Sequence, residues 1–292
     1  MKHSTEVEAA SGRKFYLDVA EGDGPLTFLL NLHGGGSVGA WQRLYFPAFD
    51  HADKYGLIVA TPSCATKEPM RRWVGEADDA HLRAIVEQVY AEYGPRIRSF
   101  WLVGHSQGGM TSNRLLLDDP FFQARVDGWL SLSGGRIGPI ALPDSFFVRR
   151  AGAPAPPMTF AEGAPGPGRA VAPPVDISFI FATGENEMVA LPDASPWAQK
   201  YGAGPRERRP DIVDDVAGQI WDTSREGSST PAWGLKPGPG TAEVYVWPNA
   251  SGGRVIADVV RKNKGHTEGL EPQVTEALIA MMVAAPGGKA TV

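Results

Sequence analysis

The sequence predicts an α/β fold: a mainly parallel sheet with helices on both faces. Three observations carry that expectation. Short, continuously apolar runs such as Leu26 to Leu32 and Gly56 to Ala60 lack a polar face, as strands buried on both sides require. These runs alternate with stretches in helical spacing, the clearest being Ala77 to Tyr93, where Leu82, Ile85, Val86 and Val89 recur on one side. Between the apolar run Ser99 to Val103 and a helix-like Met110 to Asp118 lies Gly104-His105-Ser106-Gln107-Gly108-Gly109, a tight turn in strand-turn-helix context.

In chain order, Met1 to Glu8 reads as a frayed end containing His3, and Lys14 to Val19 alternates like a half-buried strand before the turn at Glu21 to Pro25. The central strand Leu26 to Leu32 ends in the bend His33-Gly34-Gly35-Gly36. Trp41 to Tyr55 is expected to be one helix, Gly56 to Ala60 the next strand, and Thr61 to Trp73 a loop. In the helix Ala77 to Tyr93, Asp78 and Asp79 occupy the first turn, where carboxylates complement the helix dipole. Asp127 to Ser133 is a further strand ending in Gly134-Gly135.

Regular alternation then breaks. Residues 136–174 are dense in Pro, Gly and Ala and cannot form a core of their own. They are expected to pack as a surface excursion near the strand C-terminal ends, as a lid or a plain loop. Val175 to Phe181 resumes the sheet. Residues 191–240 read as a second irregular insertion with an amphipathic piece around Ile212 to Trp221. Glu243 to Trp247 and Arg254 to Val260 follow as an antiparallel pair or as a bulged strand and its neighbour, and Val274, Ala277, Leu278 and Met281 mark a last helix. One domain spanning residues 1–292 is expected.

Composition narrows the function. The 292 residues are 42% hydrophobic and 21% charged, with a formal charge of -5 and an isoelectric point near 5.7. No run approaches the ~18 apolar residues of a membrane span, and the scattered arginines make no patch for a phosphate backbone, so neither membrane nor nucleic acid is an expected partner. A single cysteine, Cys64, excludes an intrachain disulfide or a cysteine metal cluster. The start lacks an apolar signal region, which gives a cytoplasmic expectation. No signal for an oligomeric state is visible.

The chemistry starts at Ser106. A turn this sharp lifts its hydroxyl clear of the sheet at the N-terminus of a helix, where an oxyanion is stabilised. A serine needs a base, and the base needs an acid to hold its tautomer. Of six histidines, His266 lies in a glycine-preceded loop between the last strand and the last helix. His105 adjoins the nucleophile but is expected to pack. The acid is sought after Val175 to Phe181, where Glu185, Glu187 and Asp193 lie; Gly184-x-x-Glu187 has the Gly-x-x-acid spacing and makes Glu187 the first choice. The N–H groups of Gln107 and of Gly34 or Gly35 are candidate oxyanion donors. Trp41, Trp73 and Trp197, with Trp233, are candidate walls of an apolar or aromatic pocket, although tryptophans also fill cores.

The bend at His33 to Gly36, Ala60-Thr61-Pro62, the Asp78-Asp79 helix start, Gly104 to Met110 and Lys264-Gly265-His266 together resemble the α/β-hydrolase superfamily. Within it they are most similar to the branch of polyhydroxybutyrate depolymerases and feruloyl or acetyl xylan esterases. The resemblance implies an α/β-hydrolase fold, a triad in the order Ser106, Glu187, His266, and a serine carboxylic-ester hydrolase that uses no cofactor or metal and acts on a small-molecule or polymer ester. A peptidase or amidase, acyl transfer and C–C bond hydrolysis are the alternatives on this scaffold. Glu in place of Asp departs from the family pattern, since one more methylene must be accommodated.

Overall fold

The computed structural model describes residues 1–68, 70–138, 140–143, 168–219, 231–234 and 238–289. Its strands are β1 Lys2–Val7, β2 Lys14–Val19, β3 Leu26–Leu32, β4 Leu57–Pro62, β5 Ile97–His105, β6 Gly128–Leu132, β7 Arg136–Ile137, β8 Arg169–Ala170, β9 Ser178–Gly184, β10 Glu207–Asp214, β11 Gly240–Val246 and β12 Ile256–Arg261. The α-helices are α1 Gly39–Tyr45, α2 Ala52–Tyr55, α3 Gly75–Tyr93, α4 Gln107–Asp118, α5 Pro120–Arg125, α6 Pro196–Lys200 and α7 Pro272–Ala284. Among the described residues, ten strands form one sheet in the order β1-β2-β4-β3-β5-β6-β9-β12-β11-β10. The six inner strands, β4 to β12 in that order, run parallel, and an antiparallel hairpin arm closes each side.

The inner strands are buried on both faces, which explains their unbroken apolar runs. One layer packs Phe28, Leu30, Leu102 and Trp129 against Leu82, Ile85 and Val86 of α3. The other packs Leu29, Trp101, Val103 and Ile180 against Tyr45 of α1 and Leu278 and Ile279 of α7. Phe28 stacks on Phe100 with ring centroids 4.7 Å apart. No helix among the described residues is long and apolar enough to cross a membrane.

Three expectations are corrected. The helix expected over Trp41 to Tyr55 is broken: α1 stops at Tyr45, Pro47 precedes a 3-10 turn at Ala48–His51, and α2 ends at Gly56 in the left-handed region. Proline has no N–H with which to continue the helical ladder. The expected frayed start is β1, which pairs with β2 along its whole length, with His3 Nδ1 2.5 Å from Asp18 Oδ1. The amphipathic piece around Ile212 to Trp221 begins in the edge strand β10, whose residues are mostly exposed apart from Ile212, which packs on the core, and Asp214. Past Asp214 the described residues, to 219, form no regular element.

The stems of the 136–174 excursion lie side by side, because β7 pairs with β8. The returning stem is clamped to α4, where Asn113 donates to the Val171 carbonyl (2.7 Å) and accepts from its N–H (3.1 Å). The middle of the 136–174 excursion expected as a lid or a plain loop, residues 144–167, and Trp221 in the second insertion lie outside the described residues.

Candidate active site

Ser106 stands between β5 and α4 at φ 51° and ψ -117°, a backbone region costly for a residue with a Cβ. Three glycines make the turn possible. A Cβ on Gly104 would stand 2.3 Å from the Gly108 carbonyl carbon, one on Gly108 would meet the Leu32 oxygen at 2.3 Å, and one on Gly109 would meet Gly134 Cα at 2.7 Å. The Ser106 N–H is fixed by the Leu132 carbonyl at 2.8 Å.

His266 Nε2 lies 2.8 Å from Ser106 Oγ, and its Nδ1 lies 2.7 Å from Glu187 Oε2. Glu187, only 4% exposed, already accepts the Gly184 N–H and the Ser133 hydroxyl at Oε1, both at 2.8 Å. A carboxylate so placed needs a donor at its other oxygen, so Nδ1 carries the proton and Nε2 accepts from Ser106. β5, β9 and β12 end at the same rim of the sheet, which is how residues far apart in sequence meet.

The two later loops also hold each other. A Cβ on Gly184 would stand 2.2 Å from the Lys264 oxygen, and the Asn186 N–H donates to that oxygen at 3.0 Å. Behind His266, buried Arg261 donates to both Glu271 carboxylate oxygens (2.8 and 3.1 Å) and to the Glu268 and Gly269 carbonyls (each 2.8 Å). Lys264 Nζ is 3.2 Å from Glu271 Oε1.

The other candidate acids lie elsewhere. Glu185 faces away, accepting from Lys262 and from the Asn263 N–H. Asp193 is 82% exposed and pairs with Arg206. Asp78 is wholly buried and does more than complement a dipole: it accepts the Val74 and Ala65 N–H groups (2.8 and 2.9 Å) and Arg13 (2.7 Å), closing the loop before α3.

The glycine bend passes beside Ser106. A Cβ on Gly34 would stand 3.2 Å from Ser106 Cβ, and one on Gly35 would stand 3.6 Å from Gln107 Oε1 and from Met70 Cε. His33 shapes the bend: Nδ1 donates to the Gly34 carbonyl (2.7 Å), Nε2 accepts the Cys64 N–H (3.0 Å), and burial holds the imidazole down at about 4. Trp73 supports it from below, its indole N–H on the His33 carbonyl at 2.8 Å.

Of the tryptophans expected to line a pocket, Trp197 is wholly buried, stacked on Tyr201 with centroids 5.3 Å apart, so that expectation is corrected: its surface is consumed by the core. Trp41 sits edge-on to Tyr45 and is nearly buried, as is Trp73; both underpin the site. Trp233 is half-buried and stands edge-on to the His266 imidazole, centroids 5.1 Å apart.

Sequence reasoning missed how His105 packs. Its Nε2–H donates to the His266 carbonyl at 2.8 Å, its ring stacks on Tyr45 at 3.8 Å, and its bare Nδ1 lies against Gly34, where a Cβ would be 2.8 Å away. Burial and the neighbouring His266 push its pKa well below the usual range, so it stays neutral. The residue before Ser106 thus fixes the backbone of the histidine loop. Among the described residues, no group of His, Cys, Asp and Glu could hold a metal ion.

The sheet order, the turn carrying Ser106 and the two loops that meet it define the α/β-hydrolase fold. No protein-family model and no curated protein matches the chain. Among solved structures, an acetyl xylan esterase from Aspergillus awamori is similar at a TM-score of 0.51 and 11% identity, over 96% of this chain and 100% of that one. A Bacillus cereus carboxylesterase has a TM-score of 0.38 and 16% identity over 63% and 76% of the two chains. A lidless α/β serine hydrolase from Xanthomonas campestris has 0.37 and 16% over 65% and 75%.

Proposed function

We propose that this chain is a serine hydrolase of carboxylic esters that works through an acyl-enzyme. The observation that carries the reading is the unbroken hydrogen-bond chain from Ser106 through His266 to Glu187. His266 Nε2 takes the hydroxyl proton as Ser106 Oγ bonds to the ester carbonyl carbon, and the imidazolium is held by Glu187. The oxyanion is received by the Gln107 N–H at the start of α4 and by Gly34 or Gly35 of the bend. When the tetrahedral species collapses, the C–O bond breaks and His266 returns its proton to the departing alcohol. Water then repeats the sequence on the acyl-enzyme.

The acetyl xylan esterase that shares the fold supports ester chemistry as the reaction class. Trp233 beside the imidazole and Met70 beside the bend support an apolar or aromatic substrate, small or polymeric. A fluorophosphonate probe is expected to label wild-type protein at Ser106 and to leave Ser106→Ala unlabelled. Turnover is expected on p-nitrophenyl or feruloyl esters and to be at least ~100-fold slower on the matching anilides. Anilides cleaved as fast as esters would replace the esterase reading with an amidase.

A further inference from the structure

Four described residues other than glycine have positive φ. Asn249 and Asn263 belong to the residue type that tolerates this region best, which leaves two serines, Ser106 and Ser133, each at 51°. For Ser106 the strain belongs to the nucleophile's turn. Ser133 follows the last residue of β6 and touches no reacting atom, yet its backbone is locked from both sides. Its N–H donates to the Ala182 carbonyl of β9 at 2.8 Å, while Leu132 just before it receives the Ser106 N–H at 2.8 Å. Gly134 just after it is pressed on the turn, where a Cβ would lie 2.5 Å from Gly109 Cα and 2.9 Å from the Ser106 oxygen. Backbone strain survives only where the surroundings over-determine it.

That locked conformation accompanies a side-chain hydrogen bond from Ser133 Oγ to Glu187 Oε1 at 2.8 Å, and the same hydroxyl also meets the buried Tyr45 phenol. Glu187 has one more rotatable bond than the aspartate common at this place in the resembling family. Its carboxylate can therefore turn away from His266 unless a second donor fixes its plane. Gly184 N–H holds Oε1 from the backbone, and the Ser133 hydroxyl holds it from the neighbouring strand.

We infer that Ser133 is a positioning residue: its hydroxyl fixes the Glu187 carboxylate so that Oε2 stays on His266 Nδ1, and the end of β6 thereby ties the acid to the same strand terminus that anchors the nucleophile. The inference rests on the proposed role of Glu187 as the acid of a serine esterase. Hydrogen bonds to charged groups correspond to roughly a tenfold effect each, so a loss of this size in kcat with KM unchanged is expected when the hydroxyl is removed.

The test is a double-mutant cycle with p-nitrophenyl acetate, using wild type, Ser133→Gly, Glu187→Ala and the double variant. Glycine removes the hydroxyl and relaxes the φ, so a folding defect is avoided. Ser133→Gly is expected to lower kcat about tenfold in the wild-type background and less than about twofold when Glu187 is already alanine. Full wild-type kcat in Ser133→Gly, or an equal fall in both backgrounds, would overturn the inference while leaving the esterase reading intact. Wild-type protein that neither turns over the ester nor labels at Ser106 overturns the parent reading, and this inference with it.

Discussion

Around Ser106 the chain is shaped by side chains that are absent, and around His266 by side chains that are charged. Gly104, Gly108, Gly109 and Gly134 let two strands and a helix approach to distances at which no Cβ fits. The histidine loop instead wraps a buried guanidinium: Arg261 spans from the end of β12 to Glu271 and takes two loop carbonyls on the way. The difference lies in how each can fail. A glycine turn has no intermediate state, because backbone overlap has no rotamer to relieve it, whereas a charged loop loosens by degrees as partners are removed.

The largest expected effect comes from the glycine side. Gly108→Ala sets a Cβ against the Leu32 carbonyl oxygen and is expected to cost about 5 kcal/mol or prevent soluble expression. Urea unfolding and fluorophosphonate labelling read this; an alanine variant with wild-type stability would break the comparison. Next, Arg261→Met strips Glu271 of its bidentate partner and is expected to cost about 4 kcal/mol in thermal unfolding, since a buried carboxylate loses most of its pairing. Arg261→Lys should recover part of that loss, which Gly108→Ser cannot do for Gly108→Ala.

The smallest effect concerns pH and the bend. His33 is neutral in the fold, held at about 4 against an ordinary value of 6.5. Between those values the unfolded chain binds a proton that the native chain does not, so stability falls as pH drops from 6.5 toward 4. About 3 kcal/mol is expected from this residue, and His33→Asn should flatten that part of the stability curve. A wild-type curve level across that window would contradict the neutral, bend-shaping imidazole.

These two modes also decide what could be read in advance. Glycine spacing is a local pattern, so the turn at Ser106 and the bend at Gly34 were visible in the sequence, as were the apolar inner strands. Glu187 and His266 were chosen from position after a strand and from spacing, and the structure brings them within hydrogen-bond distance. Ser133, His105 and Arg261 stayed hidden because their partners are 54, 161 and 10 residues away and only tertiary folding introduces them. The outer strands were hidden for another reason. β1 and β10 each pair with one neighbour and are mostly exposed, so their polar side chains give no apolar period to detect. What else holds β10 is tertiary, with Ile212 on the core and Asp214 accepting N–H groups at the start of α7.

That outermost ribbon shapes how the molecule meets others of its kind. Along β10, Pro210 has no N–H to offer, and the ladder skips between Arg209 and Ile212. Arg208 and Arg209 stand on the solvent side among acidic neighbours. A visiting chain seeking to lengthen the sheet finds a broken row of donors behind a fence of charge. The open backbone along β10 is therefore poorly placed to recruit a further strand, even when the protein is concentrated.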